Sequence, residues 1–497
     1  MSIASIQKTR WFKGAKLFDS PWAYTIMLLI AVSISCIIGY GDYRIGFLII
    51  AGLIAGMVAL ICMFNTRLGF IITTILAFFM FYPKHFIADN LPTGIVIDIL
   101  IALTFIGAYY KKSIHKQRLW EYMSSPVTVV YIIYMGFLLI ELFNPSMDSV
   151  SGWIFTVRKF LNFMMIYFIG LHIFNSLNDI KDYLKLWLYL AILAGAYGCF
   201  QQWFGLPSFE ERWVMDDPIR YKLYFQGGEI RKFSFLSDPT AFGILMGISI
   251  VYAIAAAMNE ERKKQRWLLI IGILLMVLGM SYSGTRTAYF IIPAGLCVYV
   301  LMTINNRKTL LFMVGFLLFF MVLIFGPFYS NSTVNRIRTS FKLSDDESMN
   351  VRDKNREMIR PYMLSHPMGG GVATTGVLGQ EYNPGHPLAG FPPDSGYLRT
   401  ALETGWIGLG YTLIMFFITL LVAVKNYYRS RSKEVRTIYV AIVASLYAFI
   451  IAQYAQVAIG QMPGSFFFYS AMAIIVKLKN FDTPHNQHPI NIKKITT

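Results

Sequence analysis

The chain has 497 residues, 56% hydrophobic and 14% charged, with a mean hydropathy of +0.52. Soluble domains carry about 25% charged residues, so this deficit excludes a soluble protein with a single apolar anchor; the apolar sequence must be spread along the chain. The formal charge of +17 does not point to nucleic acid. The basic residues cluster in short segments between apolar runs, where they set topology and meet anionic lipid.

Crossing the hydrocarbon core takes about 20 apolar residues in helical form. In chain order, the runs at 22–40, 44–64, 68–82, 93–110, 126–143, 153–174, 184–205 and 240–258 meet that demand. They are followed by 266–282, 287–304, 309–329, 396–424, 436–457 and 463–477. The run 22–40 is too long for a signal peptide and lacks a small-residue cleavage site, so it reads as the first span. The pattern predicts an all-α polytopic membrane protein of about fourteen transmembrane helices, with a large extracytoplasmic loop between helices 11 and 12. Three parts follow. Residues 1–329 hold helices 1–11 with an extracytoplasmic loop at 206–239; residues 330–395 form the large loop; residues 396–497 hold helices 12–14 and a cytoplasmic tail.

Charge supports this topology independently. Lys8/Arg10/Lys13/Lys16, Lys111/Lys112/Lys116/Arg118, Arg262/Lys263/Lys264/Arg266, Lys425/Arg429/Arg431/Lys433/Arg436 and Lys477/Lys479/Lys493/Lys494 fall on one side. Turns on the other side are almost free of positive charge; Asn144–Gly152 carries only Asp148. The positive-inside rule puts the first side, and both termini, in the cytoplasm. Cys36, Cys62, Cys199 and Cys297 sit in apolar runs without metal spacing and read as packing residues.

Ionisable residues inside spans are costly and mark function. Here they gather toward the outer leaflet: Asp98, Glu141, Arg158, Lys159, Arg286, Arg399 and Glu403. Arg399 and Glu403 are four apart and could pair on one helix face. In the large loop Arg352, Arg356 and Arg360 recur at i, i+4 and i+8. The segment 350–363 is therefore predicted to be a helix with three guanidinium groups on one face. Two accounts stand: a solvated amphipathic helix, or a clamp for a multiply charged phosphate, which guanidinium forks suit. Asp216-Asp217-Pro218 reads as a turn.

The motifs become specific when taken together. Ser281-Tyr-Ser-Gly-Thr-Arg-Thr-Ala288 resembles an S-x-(S/T)-R-x-A element, and Arg231-Lys-Phe-Ser-Phe-Leu-Ser-Asp-Pro-Thr-Ala-Phe242 resembles an Arg…(Asn/Asp)-Pro element. His366-Pro-Met-Gly-Gly-Gly371 looks like His-Pro-x-x-Gly-x-Gly, preceded by a helix with Arg352. Asp394-Ser-Gly-Tyr-Leu398…Glu403-Thr-Gly405 looks like His-Asn-x-x-Leu…Glu-x-Gly, and Asn144-Pro145 and Arg158 also fit. In this order the motifs resemble the O-antigen ligase/polymerase superfamily over roughly residues 140–425. One departure matters. Ligases of that superfamily have a His where this chain has Asp394, followed by Ser395 in place of Asn. The change favours the polymerase branch. His386, in Gly-His-Pro, is the residue that could substitute.

The resemblance implies a bacterial inner-membrane glycosyltransferase working at the periplasmic or exterior face without metal or cofactor. The chain has no clear DxD motif or His/Asp metal cluster in its outer loops. The implied donor is an undecaprenyl-diphosphate-linked oligosaccharide, transferred to an acceptor glycan hydroxyl in O-antigen, capsule or exopolysaccharide synthesis. Membrane lipids surround the enzyme, and a chain-length regulator is a possible partner. The departing diphosphate gains charge, and Arg158, Arg231, Arg286 and Arg352 are expected to stabilise it. Arg356, Arg360, His366, His386, Arg399 and Glu403 are further binding candidates. Asp394 is either the general base or a helix N-cap. The alternatives are a ligase acting on lipid A–core or protein, a lipid-linked oligosaccharide flippase or transporter, and a non-catalytic assembly subunit. A transporter would place its charges near the midplane and show repeated halves.

Overall fold

The protein is described by a computed structural model covering residues 43–87, 91–114, 123–226, 228–327 and 347–482, with isolated positions at 25, 28, 29, 32, 35, 39 and 338. Most of the predicted first span, the basic N-terminal cluster, Lys116 and Arg118, the start of the large loop and the C-terminal tail lie outside the described residues. Every later predicted span coincides with a helix. These are α1 (Tyr43–Phe64), α2 (Thr66–Phe79), α3 (Thr93–Ile114), α4 (Pro126–Ile140), α5 (Val150–Ile173) and α6 (Leu177–Trp203). After two short helices, α7 (Ser208–Asp216) and α8 (Pro218–Tyr224), come α9 (Pro239–Asn259), α10 (Lys263–Tyr282), α11 (Arg286–Met302) and α12 (Arg307–Phe325). The loop helices α13 (Glu347–Ser365) and α14 (Gly376–Tyr382) precede α15 (Gly396–Arg429), α16 (Lys433–Ala455) and α17 (Gly464–Leu478). Nine segments among the described residues are long and apolar enough to cross a membrane. The chain is an α-helical membrane protein.

Helices are the expected solution, because in lipid every backbone polar group must be satisfied within the segment. Their starts follow local chemistry. The Asp238 carboxylate accepts the Thr240 and Ala241 amides at 2.9 Å, with Pro239 in the first turn of α9. That cap explains the Asp-Pro pair.

The centre of the bundle is α9, α16 and α17. All fifteen residues of α17 are buried. At about 1.5 Å per residue such a helix is shorter than the roughly 30 Å hydrocarbon core, so it is surrounded by neighbours and not by lipid. It packs on α5, while α16 packs on α9, α11 and α15. Buried polar groups find partners across helices: Tyr183 reaches Ser470 at 3.0 Å, and the Trp187 indole N–H reaches Ser249 at 3.3 Å. At one end lie ion pairs between Arg67 and Asp179, Lys181 and Glu434, and Lys433 and Glu261. The opposite end, called the loop end below, carries the long connections.

The connection at 206–239 is folded. Val214, Tyr224 and Phe233 form a small core with Trp213, and a two-stranded hairpin pairs β1 (Phe225–Gln226) with β2 (Glu229–Ile230). Asp217 caps α8 by accepting the Ile219 amide at 2.8 Å, so the predicted turn is a helix start. The buried Glu210 pins the segment to the bundle, accepting from Tyr197 at 3.0 Å and Gln201 at 2.8 Å and facing His85 at 3.7 Å.

Two expectations need correction. The span at 396–424 is not one continuous helix: Gly405 stands at φ +66° and breaks α15. The cap of α15 is Ser395, whose hydroxyl accepts the Leu398 amide at 3.4 Å, and not Asp394.

Candidate functional site

The break in α15 is where the glycine turn of the large loop is spliced into the bundle. With Gly405 out of helical conformation, the Leu402 and Glu403 carbonyls lose their helical partners. The amides of Gly370 and Gly371 donate to them instead, at 2.8 and 2.9 Å. In return the Trp406 amide donates to the Pro367 carbonyl at 3.0 Å. The approach leaves no room for side chains. A Cβ on Gly369 would stand 2.5 Å from the Gly405 nitrogen, and a Cβ on Gly405 would collide with Pro367 and require a left-handed backbone that L residues avoid. The His-Pro-Met-Gly-Gly-Gly and Glu-Thr-Gly motifs are two halves of one joint.

Side chains lock that joint. Glu403, buried, accepts Thr375 Oγ1 at 2.5 Å and Arg399 Nε at 3.0 Å on the same carboxylate oxygen. Asn144 donates to Glu141 at 2.8 Å and to the Met368 carbonyl at 3.1 Å, fixing the turn after α4 against the glycine turn. His366 stacks on Tyr362 with ring centroids 4.0 Å apart. The Tyr362 hydroxyl lies 3.4 Å from His386 Nε2, while His386 Nδ1 accepts the Leu388 amide at 3.1 Å. That bond leaves Nε2 as the protonated nitrogen of a neutral ring. Burial pushes the His386 imidazole below its usual value; Asp148 opposes this and His366 adds to it.

The first turns of α15 separate two cavities. One is a groove of about 510 Å³ between α13, α15 and the end of α16. Its walls are apolar (Met363, Leu364, Leu398, Ala401, Leu409), Tyr397, Trp406 and Tyr454 also line it, and Arg356 and Arg360 stand beside Glu357. Arg356 is held by Tyr454, with its hydroxyl at 3.2 Å and its ring face at 4.9 Å, and by Asp353 at 3.3 Å. Arg360 is exposed and makes no hydrogen bond or ion pair among the described residues. The other is a narrower cavity of about 120 Å³ that reaches into the bundle between α4, α5, α15 and α16. Lys159, Arg399, Glu403 and Thr156 line it among aromatic rings.

Residues 271–413 match the family described as O-antigen ligase. The match covers 143 of the 497 residues, and over that stretch the chain is similar to this family. A comparison with curated proteins finds no match. The matched stretch contains Arg286, α13, the glycine turn and the break in α15, so the superfamily's region and the joint coincide. Members of that family are glycosyltransferase-like ligases and polymerases.

The structure brings some of the sequence-predicted residues together and separates others. Arg356 and Arg360 share the groove, and Arg399 and Glu403 share the cavity. Arg231 instead holds the superfamily's Ser-Gly-Thr-Arg element: its Nε donates to the Ser283 carbonyl at 2.7 Å and its Nη2 to Thr285 Oγ1 at 3.1 Å. Arg231 thereby fixes the turn that launches Arg286. Gly295 packs against the Ala444 carbonyl where α11 meets α16. Gln453 lines the narrow cavity and its neighbour Tyr454 the groove. Arg158 turns to Asp98 at 3.3 Å and stacks near Phe155. Neither of the two cavities includes Arg158, Arg231 or Arg286. The Arg352 side chain lies outside the described residues. Asp394 is half-buried beside Ser395, a groove residue, and makes no hydrogen bond or ion pair among the described residues. His366 and His386 support the glycine turn and line neither cavity. Sequence reasoning missed Lys159 as a cavity residue and Tyr362 as the ring between the two histidines.

Proposed function

We propose that the chain is a polymerase of bacterial surface polysaccharide, transferring an oligosaccharide from a lipid diphosphate to an acceptor sugar hydroxyl at the outer face of the cytoplasmic membrane. The observation that carries this reading is the pairing of cavities across the first turns of α15. An apolar groove with arginines at its rim suits a lipid chain ending in a diphosphate, and a polar, aromatic-walled cavity beside it suits a saccharide. The loop end faces the periplasm or exterior in this reading, consistent with the positive charge of the opposite segments.

In the reaction the acceptor oxygen attacks the anomeric carbon, the carbon–oxygen bond to the diphosphate breaks, and the diphosphate leaves with the bonding electrons. The hydroxyl proton passes to a base. Asp394, next to the groove and without a hydrogen bond or ion pair among the described residues, is the group available for that proton. Charge grows on the departing diphosphate, so cations already in place stabilise the transition state more than the ground state. Arg356 and Arg360, which line the groove, are the candidates for that role in this reading. Arg231 acts through the turn it holds. The replacement of His-Asn by Asp394-Ser395 supports a polymerase over a ligase.

The test is purified protein in lipid with a lipid-diphosphate oligosaccharide, its products separated on a gel. A ladder of products is expected, and Asp394→Asn is expected to lower its rate roughly a hundredfold or more. A single shift that requires lipid A–core would make the protein a ligase. Unimpaired turnover by Asp394→Asn would remove Asp394 as base.

A further inference from the structure

We infer that the narrow cavity is a subsite for an acidic sugar of the glycan, whose carboxylate is held by Lys159 and Arg399 while its ring rests on Phe160. The inference rests on the reading of this end as a glycan site and names the class of sugar it takes.

Three observations converge. First, Lys159 is reached by solvent within the cavity, yet makes no hydrogen bond or ion pair among the described residues. Its ammonium stands 3.4 Å from the position of a Cβ on Gly460 and 5.9 Å from the centre of the Phe163 ring. Second, Arg399 spends only Nε on Glu403, leaving its other guanidinium N–H groups to the cavity. Third, Thr156, itself 6% exposed, lines the cavity with a hydroxyl that has no partner. A buried hydroxyl without a bond costs free energy that a ligand oxygen would recover.

The charge count selects the ligand. Two cations face the carboxylate of Glu403; Asp98, the other carboxylate acting on Lys159, is paired with Arg158 at 3.3 Å, so one positive charge is left in an apolar, partly enclosed space. A neutral sugar leaves that charge uncompensated; a diphosphate, with more than one negative charge, overcompensates it. One carboxylate balances it. Size agrees. A volume of about 120 Å³ has room for the carboxylate-bearing edge of a pyranose. Aromatic walls suit the apolar face of a sugar ring. Val372 and Leu378 from the large loop contribute to its lining.

The test uses full-length protein in zwitterionic-lipid nanodiscs and ligand-observed NMR, with methyl glucuronide and methyl glucoside as paired probes. The glucuronide is expected to bind roughly ten- to hundredfold more tightly, the span of one or two charge-assisted hydrogen bonds. Lys159→Met should erase that preference, Lys159→Arg should keep it, and Thr156→Val should reduce it in part. Melting curves of each variant show that it is folded. Equal binding of the two sugars, or a preference that survives Lys159→Met, overturns the inference. So does loss of the preference on adding phosphatidylglycerol, which would assign the site to a lipid anion. Glucuronide binding without any ladder from the lipid donor would leave the subsite standing and remove the polymerase reading.

Discussion

The two cavities beside α15 differ in how they are made. The groove draws all its residues but one from positions 356–409, with Tyr454 closing it. The narrow cavity draws on α4, α5, α14, α15, α16, α17 and the connection between the last two. Its cations are 240 positions apart in the chain, at Lys159 and Arg399. The groove is thus a local device that sequence spacing can suggest, and the cavity is a product of the whole bundle. They meet at Gly405. The break there sets the direction of the first turns of α15, one face of which belongs to each space.

The largest expected effect comes from that shared element. Gly405→Ala places a methyl group against the Pro367 carbonyl and forces an L residue to a positive φ. It should lower stability by about 2–4 kcal/mol and remove the proposed lipid binding and sugar binding together. Gly385→Ala, in open space within the same loop, should change neither. If Gly405→Ala kept one binding function at full strength, the two cavities would not depend on a common joint.

A smaller pair of changes should separate the cavities. Arg360→Ala removes an exposed groove cation, and its cost should be about 1 kcal/mol, a several-fold rise in KM for the lipid donor with kcat kept. Glu403→Gln keeps an oxygen for Thr375 but removes the charge opposite Arg399. It should cost about 1.5–3 kcal/mol in the stability of the joint, read by thermal melting. The lipid KM should respond to the first change far more than to the second. The reverse result would mean that the groove does not hold the donor.

The helices were legible because apolar length alone specifies them, and two of the motifs, His366–Gly371 and Glu403–Gly405, meet in one joint. What the sequence could not supply was direction. Arg158 and Lys159 are adjacent, about 100° apart on the helix, and nothing in composition says which faces inward. Arg158 faces Asp98; Lys159 faces the cavity. Asp394 and Ser395 are both capable of capping, and geometry chose Ser395. The expected gathering of Arg158, Arg231, Arg286 and Arg352 rested on their common level. Arg231, however, is bonded to the turn before Arg286, and a hydrogen bond to a carbonyl leaves no trace in spacing. The break at Gly405 was hidden for a related reason: Glu-Thr-Gly-Trp inside an apolar run reads as continuing helix until a second segment offers its amides.

The smallest expected effect concerns the pH dependence of the joint. His386 is buried against Gly370, whose added Cβ would meet its ring at 2.6 Å, and it faces Tyr362. Burial lowers its affinity for protons relative to an unfolded chain. A depressed histidine favours the folded loop while the ring is neutral. The unfolded loop binds the proton first as pH falls, so stability is present above the ordinary histidine value of about 6.5 and declines as pH drops through the lower folded value. Asp148 acts in the opposite sense, so the decline should be shallow. Hydrogen exchange at residues 366–391, compared at neutral and acidic pH, should show faster opening in acid. His386→Gln, neutral at every pH, should flatten that response while Gly405→Ala raises exchange at both. A response of equal size in His386→Gln would assign the pH sensitivity to His366 or Asp148 and leave His386 as packing alone.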